Sequence, residues 1–182
     1  MRVADKFTLS RILLSPVIFA LYHAPRFAPG VSKPGIIVLI ALTAFTEFTD
    51  FLDGFYARRH GAVSDFGKLF DPFADVTLHI TLFVCFTGDG YMPLIILLLI
   101  LYREFSMLFL RLLAVQRGVA IGARKGGKAK TVLYVASSFC ALLVEALFRF
   151  GALQDDRTAH RVLTVLFCLC AFAAYASFID YL

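Results

Sequence analysis

The feature that most constrains this chain is a series of long apolar stretches separated by short connections. A helix needs roughly 20 mostly apolar residues to cross the hydrocarbon core of a bilayer. The stretches that approach or exceed this length are Thr8–His23, Pro34–Ala57, Gly67–Thr87, Tyr91–Val115, Thr131–Phe150 and Ala159–Tyr181. Because the residues outside them lie in short connections, we expect no separate soluble domain. Residues 1–182 are predicted to form one all-α, polytopic integral membrane domain with six transmembrane helices.

The composition supports this class of protein. Hydrophobic residues make up 60% of the chain and charged residues 17%, against about 25% charged in an ordinary soluble domain. The four cysteines and four histidines lack metal-ligand spacing, so we assign them no chemistry. Arg2 and Lys6 precede the first stretch as in a signal peptide, but Pro16 interrupts it and no clear cleavage site follows. We therefore expect the first stretch to be retained.

The positions of Lys and Arg predict the orientation, because cytoplasmic connections are enriched in these residues. The alternate connections hold only four of them: Arg26, Lys33, Arg157 and Arg161. The N-terminus and the second-to-third and fourth-to-fifth connections hold nine: Arg2, Lys6, Arg58, Arg59, Arg117, Arg124, Lys125, Lys128 and Lys130. Both termini should therefore be cytoplasmic. The net charge of +5 reflects this excess. Since basic and aromatic residues form no shared stripe, we expect no nucleic-acid partner.

An acidic cluster lies inside the second and third stretches, although an ionised aspartate costs about 2.5–3.5 kcal/mol at the centre of a membrane helix. Asp50 and Asp53 come near the end of one stretch, and Asp71 and Asp75 near the start of the next. Helical spacing places each pair on one face, and the short connection makes the two helices antiparallel. The sequence thus predicts two facing carboxylate pairs at the same, cytoplasmic depth. Small residues line the seam between them and allow close approach: Gly54, Ala57 and Gly67.

Four carboxylates packed together would repel one another unless cations held them, and Arg58 alone cannot neutralise them. Oxygen ligands without nearby His or Cys favour hard divalent cations such as Mg²⁺, Mn²⁺ or Ca²⁺. Two ions, which we expect to be Mg²⁺ or Mn²⁺, would balance the charge and form an electrophilic clamp suited to phosphoryl transfer. The alternative is a set of carboxylates that polar neighbours satisfy or that line a proton path, as in a small ion or proton transporter.

The complete acidic motif reads Asp50-x-x-Asp53-Gly54-x-x-Ala57-Arg58, eight residues, then Gly67-x-x-x-Asp71-x-x-x-Asp75. It resembles, without a gap or mismatch, the signature of the CDP-alcohol phosphatidyltransferase family. Members of that family bind a CDP-linked lipid, most often CDP-diacylglycerol, transfer its phosphatidyl group to an alcohol and release CMP. The resemblance implies a homodimer among membrane lipids. We expect a bacterial inner membrane location with the active site facing the cytoplasm.

The resemblance also implies roles for individual residues. Asp75 would be the general base that takes the proton from the acceptor hydroxyl. The metal pair around the pyrophosphate would be held by Asp50, Asp53, Asp71 and Asp75. The CDP moiety would be contacted or accommodated by Asp53, Gly54, Ala57, Arg58, Asp65 and Gly67.

Basic residues further along the chain indicate the acceptor alcohol. Arg103 and Arg111 lie in or near the fourth stretch, and an intramembrane arginine is a candidate functional residue. Lys128 and Lys130 open the fifth stretch, where a helix N-terminus favours an anion. Together the four cations would form a pocket for a phosphomonoester. The alternative for Arg103 is a structural ion pair with Glu104.

An Arg-Glu pair followed by Gly-Lys-x-Lys-Thr is similar to the branch of the family that uses glycerol 3-phosphate. The opening Asp5-x-x-Thr8-x-x-Arg11 is similar to the first motif of that branch. Two positions depart from the branch, since Asp5 replaces an asparagine and Val76 replaces a basic residue. We expect glycerol 3-phosphate as the acceptor. Inositol phosphate, serine and phosphatidylglycerol remain alternatives within the family.

Overall fold

The computed structural model of the chain is built from α-helices. It describes residues 3–60, 65–118, 125–154 and 156–179, with side chains for residues 8–49, 69–118, 126–154 and 157–179. The helices within these ranges are α1 (Val3–His23), α2 (Ser32–His60), α3 (Asp65–Gly88), α4 (Leu94–Gln116), α5 (Lys125–Phe150) and α6 (Asp156–Ile179). Each one coincides with a predicted apolar stretch, so the all-α prediction is confirmed for the part of the chain that the structure describes.

Four segments are long and apolar enough to cross a membrane: Pro29–Thr49, Leu69–Gly88, Gly126–Phe150 and Arg157–Ile179. By this criterion the chain is a membrane protein. In α4, the apolar sequence is interrupted by three charged residues, Arg103, Glu104 and Arg111. Six transmembrane helices and cytoplasmic termini therefore stay predictions.

Glycines allow the chain to reverse between successive helices. Gly90, after α3, has φ of +79°, and Gly151, after α5, has φ of +75°. This left-handed region is readily open to glycine because it has no Cβ. Directly after Gly151, the amide of Ala152 donates to the carbonyl of Leu147 at 2.9 Å, which satisfies one of the last carbonyls of α5.

Aromatic rings form the centre of the bundle. Phe83 of α3 meets Tyr134 of α5 at a ring-centroid distance of 5.2 Å and Phe167 of α6 at 5.5 Å, both edge to face. Phe86 continues this contact one turn further along α3. Since α3 also packs against α1 and α4, the first turns of α3 lie among the helices that carry the basic residues.

The opposite end of the bundle is joined by polar contacts between its connections. Arg26 forms an ion pair with Asp89 at 2.7 Å. The Tyr91 hydroxyl donates to Glu145 at 2.7 Å, and Glu145 also accepts from Arg149 at 2.7 Å. These contacts tie the α1–α2 and α3–α4 connections and α5 together at the end remote from the start of α3.

Candidate active site

A cavity of about 370 Å³ opens where α3 and α5 begin and α4 ends. Its charged lining consists of Asp71, Asp75, Arg103, Glu104, Arg111, Lys128 and Lys130. The structure thus brings two of the four predicted metal-binding aspartates into the lining of the same cavity as all four cations predicted for the acceptor phosphate. This arrangement requires the beginnings of α3 and α5 and the end of α4 to lie at the same depth, as the antiparallel order of these helices predicts.

The first helix contacts one of the lining aspartates through its polar face. The Thr8 hydroxyl donates to a carboxylate oxygen of Asp71 at 2.5 Å. Thr8 and Arg11 are almost fully buried, with 1% and 2% of their surface exposed. Arg11 lies within electrostatic reach of Asp75. The first motif of the sequence is therefore part of the site and not only a membrane anchor.

Glu104 is the centre of a buried polar network. One carboxylate oxygen accepts from Lys130 at 2.8 Å and from the Tyr134 hydroxyl at 3.0 Å. The other accepts from Arg103 at 3.0 Å. Charge-assisted hydrogen bonds of this kind compensate for the loss of hydration of the buried charges.

Arg103 is largely committed to contacts within the protein. Besides Glu104, it donates to the carbonyl of Ala174 at 2.9 Å and to the hydroxyl of Ser177 at 2.6 Å. The structure therefore contains the Arg103–Glu104 ion pair that was the alternative to a phosphate-binding role. These contacts fasten α4 to α6.

Arg111 and Lys128 differ from the other two cations. Neither forms a hydrogen bond or an ion pair with a described residue, and the buried Nε of Arg111 lacks a partner among the described residues. Lys128 is exposed at the mouth of the cavity. These two side chains keep their donors available for an anion that enters the cavity.

Sequence reasoning missed the role of His79 and Tyr134 as neighbours of the charged residues. His79 is one helical turn after Asp75, and its Nε2 lies 3.2 Å from an Asp75 carboxylate oxygen. Tyr134 is one turn after Lys130, whose Nζ lies 4.6 Å from the centre of the Tyr134 ring. The i, i+4 spacing was the available signal in both cases.

The remaining predicted residues fall on helices whose side chains at these positions lie outside the described part of the chain. These residues are Asp50, Asp53, Gly54, Ala57 and Arg58 of α2, and Asp65 and Gly67 of α3. Their roles stay predictions.

The described residues fit the divalent cations that the family implies. Asp71 and Asp75 present carboxylate oxygens one helical turn apart, and oxygen donors suit Mg²⁺ and Mn²⁺. Asp71 forms no ion pair with a described residue, so a cation at the cavity would supply the missing countercharge. The described side chains include no cluster of three Asp, Glu, His or Cys ligands. The side chains of Asp50 and Asp53 are not among those described.

Comparisons with known proteins agree with the motif. The sequence model of the CDP-alcohol phosphatidyltransferase family matches residues 1–176. A Treponema pallidum protein named CDP-diacylglycerol–glycerol-3-phosphate 3-phosphatidyltransferase is 40% identical over 98% of this chain and 88% of its own length. A Bacillus subtilis protein of the same name is 31% identical over 76% of this chain and 75% of its own length.

The chain therefore belongs to the CDP-alcohol phosphatidyltransferase family. It is a membrane-bound phosphatidyltransferase, an enzyme of phospholipid biosynthesis.

Proposed function

We propose that this enzyme transfers the phosphatidyl group of CDP-diacylglycerol to glycerol 3-phosphate, which yields phosphatidylglycerophosphate and CMP. The observation that carries the proposal is the shared cavity, which is lined by Asp71 and Asp75 together with Arg111 and Lys128. Such a cavity suits a substrate diphosphate near the carboxylates and a phosphomonoester near the cations. The names of the Treponema pallidum and Bacillus subtilis relatives describe the same reaction.

In the proposed reaction, the acceptor hydroxyl attacks the β-phosphorus of CDP-diacylglycerol in line. A new phosphorus–oxygen bond forms while the bond to CMP breaks, and no covalent enzyme intermediate arises. Asp75 takes the hydroxyl proton as general base. Two Mg²⁺ or Mn²⁺ ions would neutralise the pyrophosphate and stabilise the departing CMP. The residues proposed to hold them are Asp50, Asp53, Asp71 and Asp75.

The described contacts divide the four cations into two functional pairs. Arg111 and Lys128 bind the acceptor phosphate directly, because their donors are not used by other described residues. Lys130 and Arg103 are held by Glu104 and shape the positive wall behind that phosphate. The proposed nucleotide contacts are those of the family motif: Asp53, Gly54, Ala57, Arg58, Asp65 and Gly67.

The proposed location is the inner membrane of a bacterium, with the cavity at the cytoplasmic face. The basic connections of the sequence support this orientation, because Lys128 and Lys130 belong both to the cavity and to the most basic connection. A homodimer, implied by the resemblance alone, stays a prediction.

The test is CMP release by the purified protein with CDP-diacylglycerol and Mg²⁺. Parallel reactions contain glycerol 3-phosphate, inositol 1-phosphate, inositol, serine, phosphatidylglycerol or no acceptor. We expect release with glycerol 3-phosphate alone. Release with another acceptor would overturn the proposed substrate and keep the transferase chemistry. No release with any acceptor would overturn the proposed donor.

A further inference from the structure

His79 occupies an unusual place beside the proposed general base. It lies on α3 one turn after Asp75, and only 2% of its side chain is exposed. Its Nε2 is 3.2 Å from a carboxylate oxygen of Asp75, and its Nδ1 is 3.8 Å from a carboxylate oxygen of Glu47 on α2. One imidazole ring therefore stands between carboxylates of two different helices.

Aromatic neighbours restrict how this ring can move. Tyr134 meets it edge to face at a centroid distance of 5.7 Å, and Phe83 stacks near it at 6.3 Å. These contacts restrict the plane of the ring, whose Nε2 lies on the side of Asp75 and whose Nδ1 lies on the side of Glu47. The geometry distinguishes His79 from a histidine that only fills space in an apolar core.

The two ring nitrogens are buried, and neither completes a hydrogen bond with a described residue. Buried polar atoms are rarely left without a partner, and those that are usually mark a functional requirement or a bound water or ion. The 3.2 Å approach to Asp75 is short enough for a small movement of either side chain to complete that bond.

We propose that His79 is a positioning residue, which orients the Asp75 carboxylate toward the cavity while Glu47 holds the imidazole from the other side. The inference rests on the proposed function of Asp75. A partner that orients a carboxylate limits its rotation, so that one oxygen remains directed at the substrate or metal. His79 itself touches neither substrate nor reacting atoms.

The test compares His79→Phe, which keeps a ring and removes both nitrogens, with His79→Gln, which keeps an amide donor near the position of Nε2. Loss of an orienting partner typically lowers metal affinity or activity by about 10- to 100-fold. We expect His79→Phe to lower kcat by that factor and to weaken Mn²⁺ binding by the protein alone, followed by electron paramagnetic resonance. The KM for glycerol 3-phosphate should change by less than about threefold, since the acceptor cations are untouched. His79→Gln should recover much of the loss.

Two further variants separate positioning from packing. Phe86→Leu removes an aromatic ring of the same core, one that packs on Tyr22 and Phe167, and should lower the melting temperature without a comparable loss of kcat or Mn²⁺ affinity. Glu47→Gln should lower kcat, as His79→Phe does. It is the variant that tests the positioning role if neither His79 variant folds. If His79→Phe folds and keeps its kcat and Mn²⁺ affinity, the positioning role is overturned. If only Glu47→Gln folds, unchanged kcat and Mn²⁺ affinity in that variant overturn it. If the unmodified protein releases no CMP, the proposed function fails instead.

Discussion

Lys130 and Glu104 form an ion pair at 2.8 Å inside the wall of the cavity, with only 7% and 4% of their side chains exposed. The two residues lie on α5 and α4, whose backbones do not approach closely in the described part of the chain. The pair therefore joins two helices whose backbones lie apart. It keeps the two basic helices at a fixed separation while it supplies part of the charge of the site.

Glu104→Gln should destabilise the protein strongly. Removal of one charge leaves Lys130 and Arg103 buried without their shared carboxylate, and breaking a buried pair typically costs about 3–5 kcal/mol. Thermal unfolding in detergent measures the effect as a lowered melting temperature. Lys128→Ala is the matched control, because Lys128 is exposed and should leave the melting temperature unchanged. Equal melting temperatures for Glu104→Gln and the unmodified protein would contradict a stabilising network.

Arg111→Ala and Lys128→Ala should each impair use of the acceptor. A hydrogen bond to a charged group contributes about 1.5–3 kcal/mol, so the KM for glycerol 3-phosphate should rise by about 10- to 100-fold. The KM for CDP-diacylglycerol should change far less. Arg117→Ala serves as the control, since Arg117 follows α4 and is exposed outside the cavity lining. An equal rise in both KM values would place Arg111 or Lys128 outside the acceptor site.

Asp75→Asn should abolish turnover and leave CDP-diacylglycerol binding largely intact. The amide has nearly the shape of the carboxylate but cannot accept the hydroxyl proton, and a general base contributes about 10²- to 10⁴-fold to the rate. CMP release and equilibrium binding of the CDP-lipid measure the two effects separately. Asp89→Asn, at the remote end of α3, should retain activity. A near-normal rate for Asp75→Asn would show that another group takes the proton.

Removal of divalent cations should abolish the activity of the enzyme. Dialysis against EDTA followed by the CMP-release assay should give only background, because the pyrophosphate and the aspartates would face each other without a countercharge. Added Mg²⁺ or Mn²⁺ should restore the rate. Full activity after exhaustive EDTA treatment would mean that the carboxylates act without metal and that the diphosphate is neutralised by protein cations.

The helices could be predicted from the sequence because their signal is local. The stretch Thr131–Phe150, for example, is apolar over most of its length and begins after glycines, and α5 covers it with a start six residues earlier at Lys125. That earlier start places Lys128 and Lys130 on the helix itself. Charged residues at the end of a helix weaken the hydropathy signal without weakening the helix, which explains the difference.

The site could be predicted only in part, since partner choice depends on packing between distant segments. The four cations that the sequence assigns to one pocket do line one cavity, because depth follows from the order of the helices, whereas their role in binding phosphate stays a prediction. The bonds from Arg103 to Ala174 and Ser177 could not be foreseen, as they join residues more than 70 positions apart. The role of His79 could not be predicted, because a single histidine forms no recognisable motif until its neighbours are known.

The hydrogen bond between Thr8 and Asp71 joins a helix that is synthesised early to one that is synthesised later. The chain emerges from the ribosome N-terminus first, so the acidic start of α3 is synthesised before the lysines of α5 exist. Thr8 of α1 is already present when Asp71 is made, and in the folded protein it donates to that carboxylate. Asp71 can therefore gain this partner as soon as α1 and α3 meet, before any residue of α4 or α5 has been synthesised.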